Sequence, residues 1–199
     1  MYDPLGLCSV WTIKFKIAMR SIVNRDLEWD DPLPSDLQAF WTRLMSEAVD
    51  LQPLTFPRSL KTDVCLPVPE LVGFWDGSDN AYGCVIYARW QTTQPGEWHT
   101  SLITSKARVT PRAGCTTPRA ELCGLVVLSR LIKSVVAGMK VKPRRITLCG
   151  DSTCTISACE LNCASLQPFF SNRVVEILAN LREVWGDGCQ GGDLDQPGG

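Results

Sequence analysis

The sequence has few of the residues from which zinc sites and thiol redox centres are built. It contains one histidine, His99, and its 10 cysteines include no C-x-x-C pair. Structural zinc sites use closely spaced cysteine and histidine ligands, so these spacings argue against zinc. The opening residues do not have the pattern of a signal segment, which argues against a disulfide scaffold. We therefore interpret Cys84, Cys123, Cys149 and Cys154 as small reduced core residues.

Long apolar runs and an excess of one charge are absent as well. No stretch approaches the ~20 apolar residues of a membrane-spanning helix, so we expect no membrane partner and an intracellular location. The formal net charge is -1, so a surface that binds nucleic acid has to be a local basic patch. A chain of 199 residues that is 45% hydrophobic can build a packed core.

The first third of the chain has helical periodicity. Apolar residues recur at helical spacing from Ile13 to Val23 beside basic residues, which predicts an amphipathic helix. A second helix is predicted to begin at Ser35, after two prolines. Its predicted buried stripe is Leu37, Phe40, Trp41, Leu44, Met45 and Ala48. Residues 1–66 are therefore interpreted as a small helical region.

From Leu71 onward the apolar pattern becomes that of strands. Strands are predicted at 71–76, 82–90, 98–104 and 145–150, and helices at 118–137, from 152, and at 172–183. The first three strands should form an antiparallel meander. The long helix separates the fourth strand from this meander, so we expect that strand to pair in parallel with 71–76. Residues 67–184 are therefore predicted to form an α/β fold with a mixed sheet flanked by helices.

Three carboxylates fall where the predicted elements begin or end. Asp76 ends the first strand, Asp151 follows the fourth strand, and Glu121 lies in the first turn of the long helix. They meet at one edge of the sheet if the two strands pair and the helix packs over them. Oxygen ligands without nearby His or Cys favour Mg²⁺ or Mn²⁺. The three carboxylates could hold two such cations and activate water against a phosphodiester.

Each carboxylate also has a simpler explanation. Asp76 could belong to a polar turn, Asp151 could be a helix N-cap, and Glu121 could favour the positive end of a helix dipole. These alternatives stay open for each residue alone. The coincidence of all three in one topology favours the metal site.

Several motifs follow one another along the chain. They are Asp76-Gly77-Ser78, Ser105-Lys106-Ala107-Arg108-Val109, Pro118-Arg119-Ala120-Glu121-Leu122, Asp151-Ser152 and Asn172-Arg173-Val174-Val175-Glu176-Ile177. In this order they resemble the ribonuclease H region of BEL/Pao-type LTR retrotransposon polyproteins, a family also labelled Pao retrotransposon peptidase. Upstream, residues 2–7 and 27–34 resemble the stretch that joins a reverse-transcriptase palm to this region. The likeness covers about residues 2–184.

The resemblance implies a ribonuclease H-like domain over 67–184, with a five-stranded type of sheet, preceded by a connection region over 1–66. It implies two-metal hydrolysis of the RNA strand of RNA/DNA hybrids during reverse transcription, with Mg²⁺ or Mn²⁺ as cofactor. Asp76, Glu121 and Asp151 carry over as catalytic metal ligands. The implied partners are the hybrid and the reverse-transcriptase domain of the same polyprotein. The implied location is a cytoplasmic retroelement particle or the nucleus.

The resemblance also assigns supporting and substrate-binding residues. Ser78 and Ser152 are neighbours that could orient the ligands. Four basic residues are candidates for contacting substrate phosphates, with solvated surface charge as their simpler explanation: Lys106, Arg108, Arg119 and Arg173.

The end of the chain departs from the family pattern. Family members continue into a fifth strand and a fourth acidic residue in an Asn-Pro-Ala-Asp context, and neither is recognisable here. Asp187 and Asp193 are the available substitutes, with Asp193 a candidate metal ligand, but the Gly-rich composition of 185–199 predicts a disordered tail. The sequence also lacks the paired-Asp motif of a polymerase. We therefore expect a fragment of an element whose activity could be degenerate.

Two other functions remain alternatives. The absent fourth acid favours a non-catalytic module that binds nucleic acid or connects to a polymerase. The family label implies an aspartic peptidase, whose chemistry needs two Asp-Thr/Ser-Gly loops that share a proton. Asp76-Gly77-Ser78 has Gly and Ser in the reverse order, and Asp151-Ser152-Thr153 lacks the Gly. Hydrolysis of RNA/DNA hybrids is therefore the leading hypothesis.

Overall fold

The computed structural model describes residues 3–23, 25, 27–51, 55–111, 115–161 and 163–185, and the backbone of 194–195. The elements are α1 (Ser9–Val23), α2 (Ser35–Asp50), β1 (Glu70–Gly77), β2 (Ala81–Gln91), β3 (Trp98–Val109), α3 (Thr117–Gly138), β4 (Arg145–Cys149), α4 (Thr153–Glu160), α5 (Pro168–Trp185) and β5 (Leu194–Asp195). The predicted helices and strands are present. Two elements extend well past their predicted bounds: β3 continues to Val109 instead of ending at residue 104, and α5 runs from Pro168 to Trp185 instead of over 172–183.

The strands form one mixed sheet in the order β3-β2-β1-β4-β5. Strands β1, β2 and β3 pair antiparallel, and β4 pairs in parallel with β1 as far as Phe74 and Cys149. The predicted mixed sheet, with the fourth strand beside the first, is therefore confirmed. A short hairpin joins β1 to β2, whereas the parallel β4 needs the long crossover that α3 provides.

The last segment of the chain is described only in part. Trp185 is the final residue of α5, and the two-residue β5 pairs in parallel with Leu148 and Cys149 of β4. Asp187 and Asp193 lie outside the described residues, as does most of the predicted disordered tail. The sheet is thus formed mainly by four strands of five or more residues.

The main core lies between one face of the sheet and the two long helices α3 and α5. Leu71 and Trp75 of β1 are buried on this face. The apolar side of α3 packs on β1 and β2 and on α5. The buried residues of the two helices include Leu122, Leu125, Leu128, Ile132, Val174, Ile177 and Leu181. The predicted apolar face of α3 is therefore confirmed, and it fixes the first turn of this helix over the end of β1.

The N-terminal segment covers the outer edge of the sheet. Helix α1 packs along β3. The carbonyl oxygen of Leu5 accepts hydrogen bonds from the backbone nitrogen of Ser105 (2.9 Å) and from Thr104 Oγ1 (2.7 Å). The helical region at the start of the chain is thus attached to the edge strand.

The predicted buried stripe of α2 is wrong in part. Leu37 and Leu44 are buried, but Phe40 and Met45 are 39% and 54% exposed. Helix α2 packs chiefly on α1. A single neighbouring helix buries a narrower stripe than a full core does.

The cysteines divide between the core and the surface. All the described cysteines are free, and burial raises the pKa of Cys84 to about 12. Cys123 and Cys149 are half-buried, and Cys154 is exposed, so its predicted core position is wrong. Cys154 lies in the short helix α4, which presents this position to solvent. Within the described ranges, no helix is both long enough and apolar enough to cross a membrane.

A buried carboxylate stabilises the far end of β1. Glu70 accepts hydrogen bonds from Nε of Arg89 (2.7 Å) and Nε of Arg144 (2.9 Å). The two guanidinium groups lie 4.6 and 5.4 Å from the ring centre of Trp98. Burial acts to raise the pKa of Glu70, but the hydrogen bonds from both arginines lower it overall. Glu70 is therefore ionised in the folded protein at neutral pH and links β1, β2 and the start of β4.

We expect Glu70→Gln to lower the free energy of unfolding at neutral pH by about 1 kcal/mol, because two charge-assisted hydrogen bonds weaken and both arginines are partly exposed to solvent. A lowered folded-state pKa stabilises the protein above the unfolded-state pKa, about 4.3, and this contribution is lost as the pH falls through the folded-state pKa. Denaturant unfolding between neutral and acidic pH measures both effects. The exposed Asp36→Asn, which weakens the Arg25–Asp36 pair, is the control and should change little. Equal losses for the two variants would contradict this role of Glu70.

Candidate active site

The ends of β1 and β4 and the start of α3 meet at one edge of the sheet. Asp76 and Asp151 each follow the last parallel pair of their strands, Phe74 and Cys149, by two residues. Gly77 lies directly against α3, since a Cβ at Gly77 would be 2.3 Å from the amide nitrogen of Glu121. The backbone therefore brings all three predicted carboxylate residues to the same edge.

A second glycine allows β4 to approach the core at this edge. A Cβ at Gly150 would lie 2.3 Å from two ring atoms of Trp75. Trp75 is buried and immediately precedes Asp76. Because Gly150 has no side chain, the ring of Trp75 can pack directly against the backbone where β4 ends. The backbone next to Asp76 and Asp151 is therefore held by the packing of Trp75 on Gly150.

Ser152 connects Glu121 to the start of α4. Its hydroxyl donates to Oε2 of Glu121 (2.6 Å), and its Oγ accepts the backbone N–H of Thr155 (3.2 Å). Ser152 is the N-cap of α4. The alternative that Asp151 caps this helix is therefore wrong, because the side chain of Ser152 accepts the backbone N–H of Thr155 in its place. Ser152 lies where a residue that orients Glu121 is needed.

The aspartates are more open than Glu121. Asp76 and Asp151 are exposed, whereas Glu121 is half-buried. Oδ1 of Asp76 accepts the backbone N–H of Gly77 (2.6 Å). Ser78 belongs to the β1–β2 hairpin, where its Oγ donates to the carbonyl of Ala81 (2.9 Å). Among the described contacts, Ser78 makes no hydrogen bond to Asp76.

The side chains at this edge do not form a ready set of metal ligands. Among the described residues, no group of three or more His, Cys, Asp or Glu side chains is placed to hold a metal ion. One oxygen of Asp76 and one of Glu121 accept hydrogen bonds from the protein itself. The carboxylate donors suit a hard divalent cation. The convergence of the three carboxylates on a common point therefore stays a prediction, and Asp193 lies outside the described residues.

The four predicted phosphate-binding residues lie in different places. Lys106 and Arg108 are exposed on β3. Arg119 and Arg173 lie over the ring of Phe169, with their guanidinium carbons 4.8 and 3.5 Å from its centre. Cation–π contacts of this kind hold a guanidinium in place while its N–H groups can still donate. Lys106 lines a hollow beside α1, and Arg108 also borders this hollow.

Arg108 and Arg173 line one groove of about 320 Å³ between the sheet and the helices α3 and α5. Tyr82, Arg130 and Asn172 also line it. Asn172 belongs to the motif at residues 172–177, but no binding role was predicted for any of the three. Arg130 donates to Glu176 on α5, with Nη2 and Oε2 2.9 Å apart. A lone arginine on a helix belongs to no motif. Only the packing of α3 on α5 shows that Arg130 joins the other arginines.

Comparisons with solved structures give distant likenesses. Ribonuclease H1 of Halobacterium salinarum is 14% identical, with 64% of this chain and 80% of that chain covered and a TM-score of 0.38. LC11-RNase H1 in complex with an RNA/DNA hybrid is 12% identical, with 63% and 82% covered and a TM-score of 0.40. A foamy viral protease-reverse transcriptase in complex with double-stranded DNA is 14% identical, with 92% and 31% covered and a TM-score of 0.47.

No curated protein matches the chain. The model of one protein family, described as the Pao retrotransposon-like RNaseH-like domain, matches residues 1–152. This range includes both N-terminal helices, the four main strands and all three candidate carboxylates. The mixed sheet with helices at its side is the architecture that the sequence predicted. The chain therefore belongs to the Pao retrotransposon-like RNaseH-like domain family.

Proposed function

We propose that this domain hydrolyses the RNA strand of RNA/DNA hybrids during reverse transcription, with two divalent metal ions. The supporting observation is the meeting of Asp76, Glu121 and Asp151 at one sheet edge, with Gly77 and Gly150 permitting the close approach. Three elements distant in sequence each contribute one carboxylate there. A polar turn or a helix dipole explains one such residue but not the common location of all three.

In this proposal Asp76, Glu121 and Asp151 would hold Mg²⁺ or Mn²⁺. The bound cations would supply an activated water and stabilise the charge that develops on the leaving oxygen. The exposed positions of Asp76 and Asp151 leave them accessible to a substrate phosphate. The hydrogen bond from Ser152 fixes the direction of Glu121. Partners of this kind orient ligands and commonly alter activity by about 10- to 100-fold when removed.

The proposed partners are the hybrid and a reverse-transcriptase domain of the same polyprotein. Lys106, Arg108, Arg119 and Arg173 are proposed to contact phosphates of the hybrid. Residues 1–66 are proposed to connect the ribonuclease H-like domain to the polymerase palm, and α1 is already packed on β3. The reaction would take place in a cytoplasmic retroelement particle or in the nucleus.

A non-catalytic nucleic-acid-binding module is the second candidate function. The observation in its favour is that, in the described part of the chain, the carboxylates are not arranged as metal ligands. A peptidase has less support. An aspartic peptidase needs two aspartates that share a proton, and in the described structure no hydrogen bond joins Asp76 to Asp151.

Incubation of the chain with an end-labelled RNA/DNA hybrid tests the proposal. We expect weak cleavage of the RNA strand in Mg²⁺ or Mn²⁺ and none in excess EDTA, because the described residues offer three carboxylates and a second cation is held poorly without a fourth. A DNA duplex of the same sequence is the control substrate. Cleavage that persists in EDTA would refute the metal assignment. Binding of the hybrid without cleavage would favour the non-catalytic module, and chelator-insensitive cleavage of a peptide would favour the peptidase.

A further inference from the structure

We propose that the groove between β3, α3 and α5 binds the phosphodiester backbone of a nucleic acid, and that Glu176 weakens this binding by occupying Arg130. This inference rests on the proposed function. The groove is lined by polar and charged groups: Tyr82, Arg108, Arg130, Asn172, Arg173 and Glu176. A volume of about 320 Å³ can admit a phosphate with its two ester oxygens.

The groove carries a local excess of positive charge. It has three arginines against one carboxylate, Glu176, whereas the whole chain has a formal net charge of -1. Arg108 is exposed, and no side-chain hydrogen bond or ion pair holds it among the described residues. An arginine fork without a carboxylate partner is suited to a phosphate, which it can bind through two parallel N–H groups.

Arg173 is held in position before any ligand arrives. Its guanidinium carbon lies 3.5 Å from the ring centre of Phe169, and its Nη1 donates to the carbonyl of Phe169 (3.0 Å). These contacts restrict the side chain, so less conformational entropy is lost when its other N–H groups bind an anion. Asn172 and Tyr82 add neutral polar groups to the same groove.

Glu176 would compete with a bound phosphate for the guanidinium of Arg130. Its carboxylate accepts two hydrogen bonds from Arg130, and these lower the pKa of Glu176. Glu176 is therefore ionised at neutral pH and occupies the guanidinium that faces the groove. Removing its charge should free Arg130 and remove repulsion from an incoming phosphate.

The groove begins beside the candidate active site. Tyr82 pairs with Gly77, the residue that follows Asp76. Cys123, on the α3 wall of the groove, lies two residues after Glu121, so the two side chains point to opposite sides of the helix. The groove is therefore less than one helical turn from Glu121 along α3 but on another face of the helix. Its three arginines come from β3, α3 and α5, and such a spread of positive charge matches the repeated charges of a nucleic-acid backbone better than one small anion.

The test measures binding of a fluorescent RNA/DNA hybrid by anisotropy, in EDTA, from about 50 to 200 mM salt. We expect Arg108→Gln to weaken binding about 5-fold and to reduce the salt slope by about 1, as the loss of one phosphate contact does. Glu176→Gln should tighten binding by about 3-fold, because it removes a like charge beside the phosphate. Lys140→Gln is the matched control, since this exposed lysine beyond the end of α3 does not line the groove.

Opposite effects of the Arg108 and Glu176 substitutions, with Lys140→Gln unchanged, would support the groove. Equal weakening by Arg108→Gln and Lys140→Gln, or no gain from Glu176→Gln in a variant with an unchanged melting temperature, would overturn it. Cleavage of the same hybrid in Mn²⁺ separates the two proposals. If the parent binds as expected but does not cleave, the groove stands and the proposed hydrolysis fails. If the parent cleaves and the groove variants bind like the parent, the proposed role of the groove is rejected and the proposed hydrolysis stands.

Discussion

Asp76→Asn is expected to reduce metal-dependent cleavage of an RNA/DNA hybrid by more than about 100-fold, beyond the usual effect of changing a residue that only orients a ligand. The amide keeps the shape of the side chain but removes the negative charge that would attract the cations. Hybrid binding should change little, because phosphate contacts by arginines do not involve this carboxylate.

Cleavage and binding are measured side by side for the variant and the parent, with Mg²⁺ or Mn²⁺ and with EDTA. Asp79→Asn is the matched control, because Asp79 is an exposed carboxylate in the same hairpin. Its Oδ1 accepts a hydrogen bond from Thr117 Oγ1 (3.0 Å). This control should cleave at about the parent rate. Full cleavage by the Asp76 variant, or an equal loss in both variants, would contradict the assignment of Asp76 as a metal ligand.

Gly77→Ala is expected to lower the free energy of unfolding by about 3 kcal/mol, the upper part of the usual range for overpacking. The added Cβ would lie 2.3 Å from the amide nitrogen of Glu121 and 2.4 Å from the carbonyl carbon of Ala120. Both atoms belong to the backbone of α3, so the strand and the helix have to separate. The same displacement would move Glu121 away from Asp76.

Denaturant unfolding of purified protein measures this loss. Gly138→Ala is the control at the other end of the same helix, where nothing lies within 4 Å of the added Cβ. It should leave stability unchanged or raise it by up to about 1 kcal/mol, because alanine restricts the unfolded chain. Similar stability of the two variants would show that the contact between Gly77 and α3 is not tight.

The sequence was sufficient to predict the mixed sheet and that Asp76 and Asp151 lie near the ends of two neighbouring strands, whereas the joint binding of metal ions by Asp76, Glu121 and Asp151 stays a prediction. The strand pattern around Asp76 and Asp151 is local, and the helix between them requires a crossover, which makes the two strands parallel neighbours. Glu121 was predicted in the first turn because it follows a proline near the helix start, but α3 begins at Thr117 and Glu121 is its fifth residue, just past that turn. Periodicity and chain connectivity determine these features together.

The remaining features depend on neighbours that periodicity does not specify. The exposure of Phe40 on α2 follows from which helix packs beside it. The choice of Ser152 over Asp151 as the N-cap depends on the backbone direction where β4 ends. Arg130 joins the groove only because α3 and α5 pack together. Such features require three-dimensional contacts between segments far apart in sequence.

The hydrogen bonds that Leu5 accepts from Ser105 and Thr104 have a consequence for association between molecules. An uncovered outer strand offers free backbone groups to the sheet of another copy, which is a common route to aggregation. Here the start of the chain already lies along β3 and engages some of these groups. The N-terminal segment therefore leaves fewer free backbone groups on β3 for pairing with the sheet of another copy, in addition to any role in joining the domain to a polymerase.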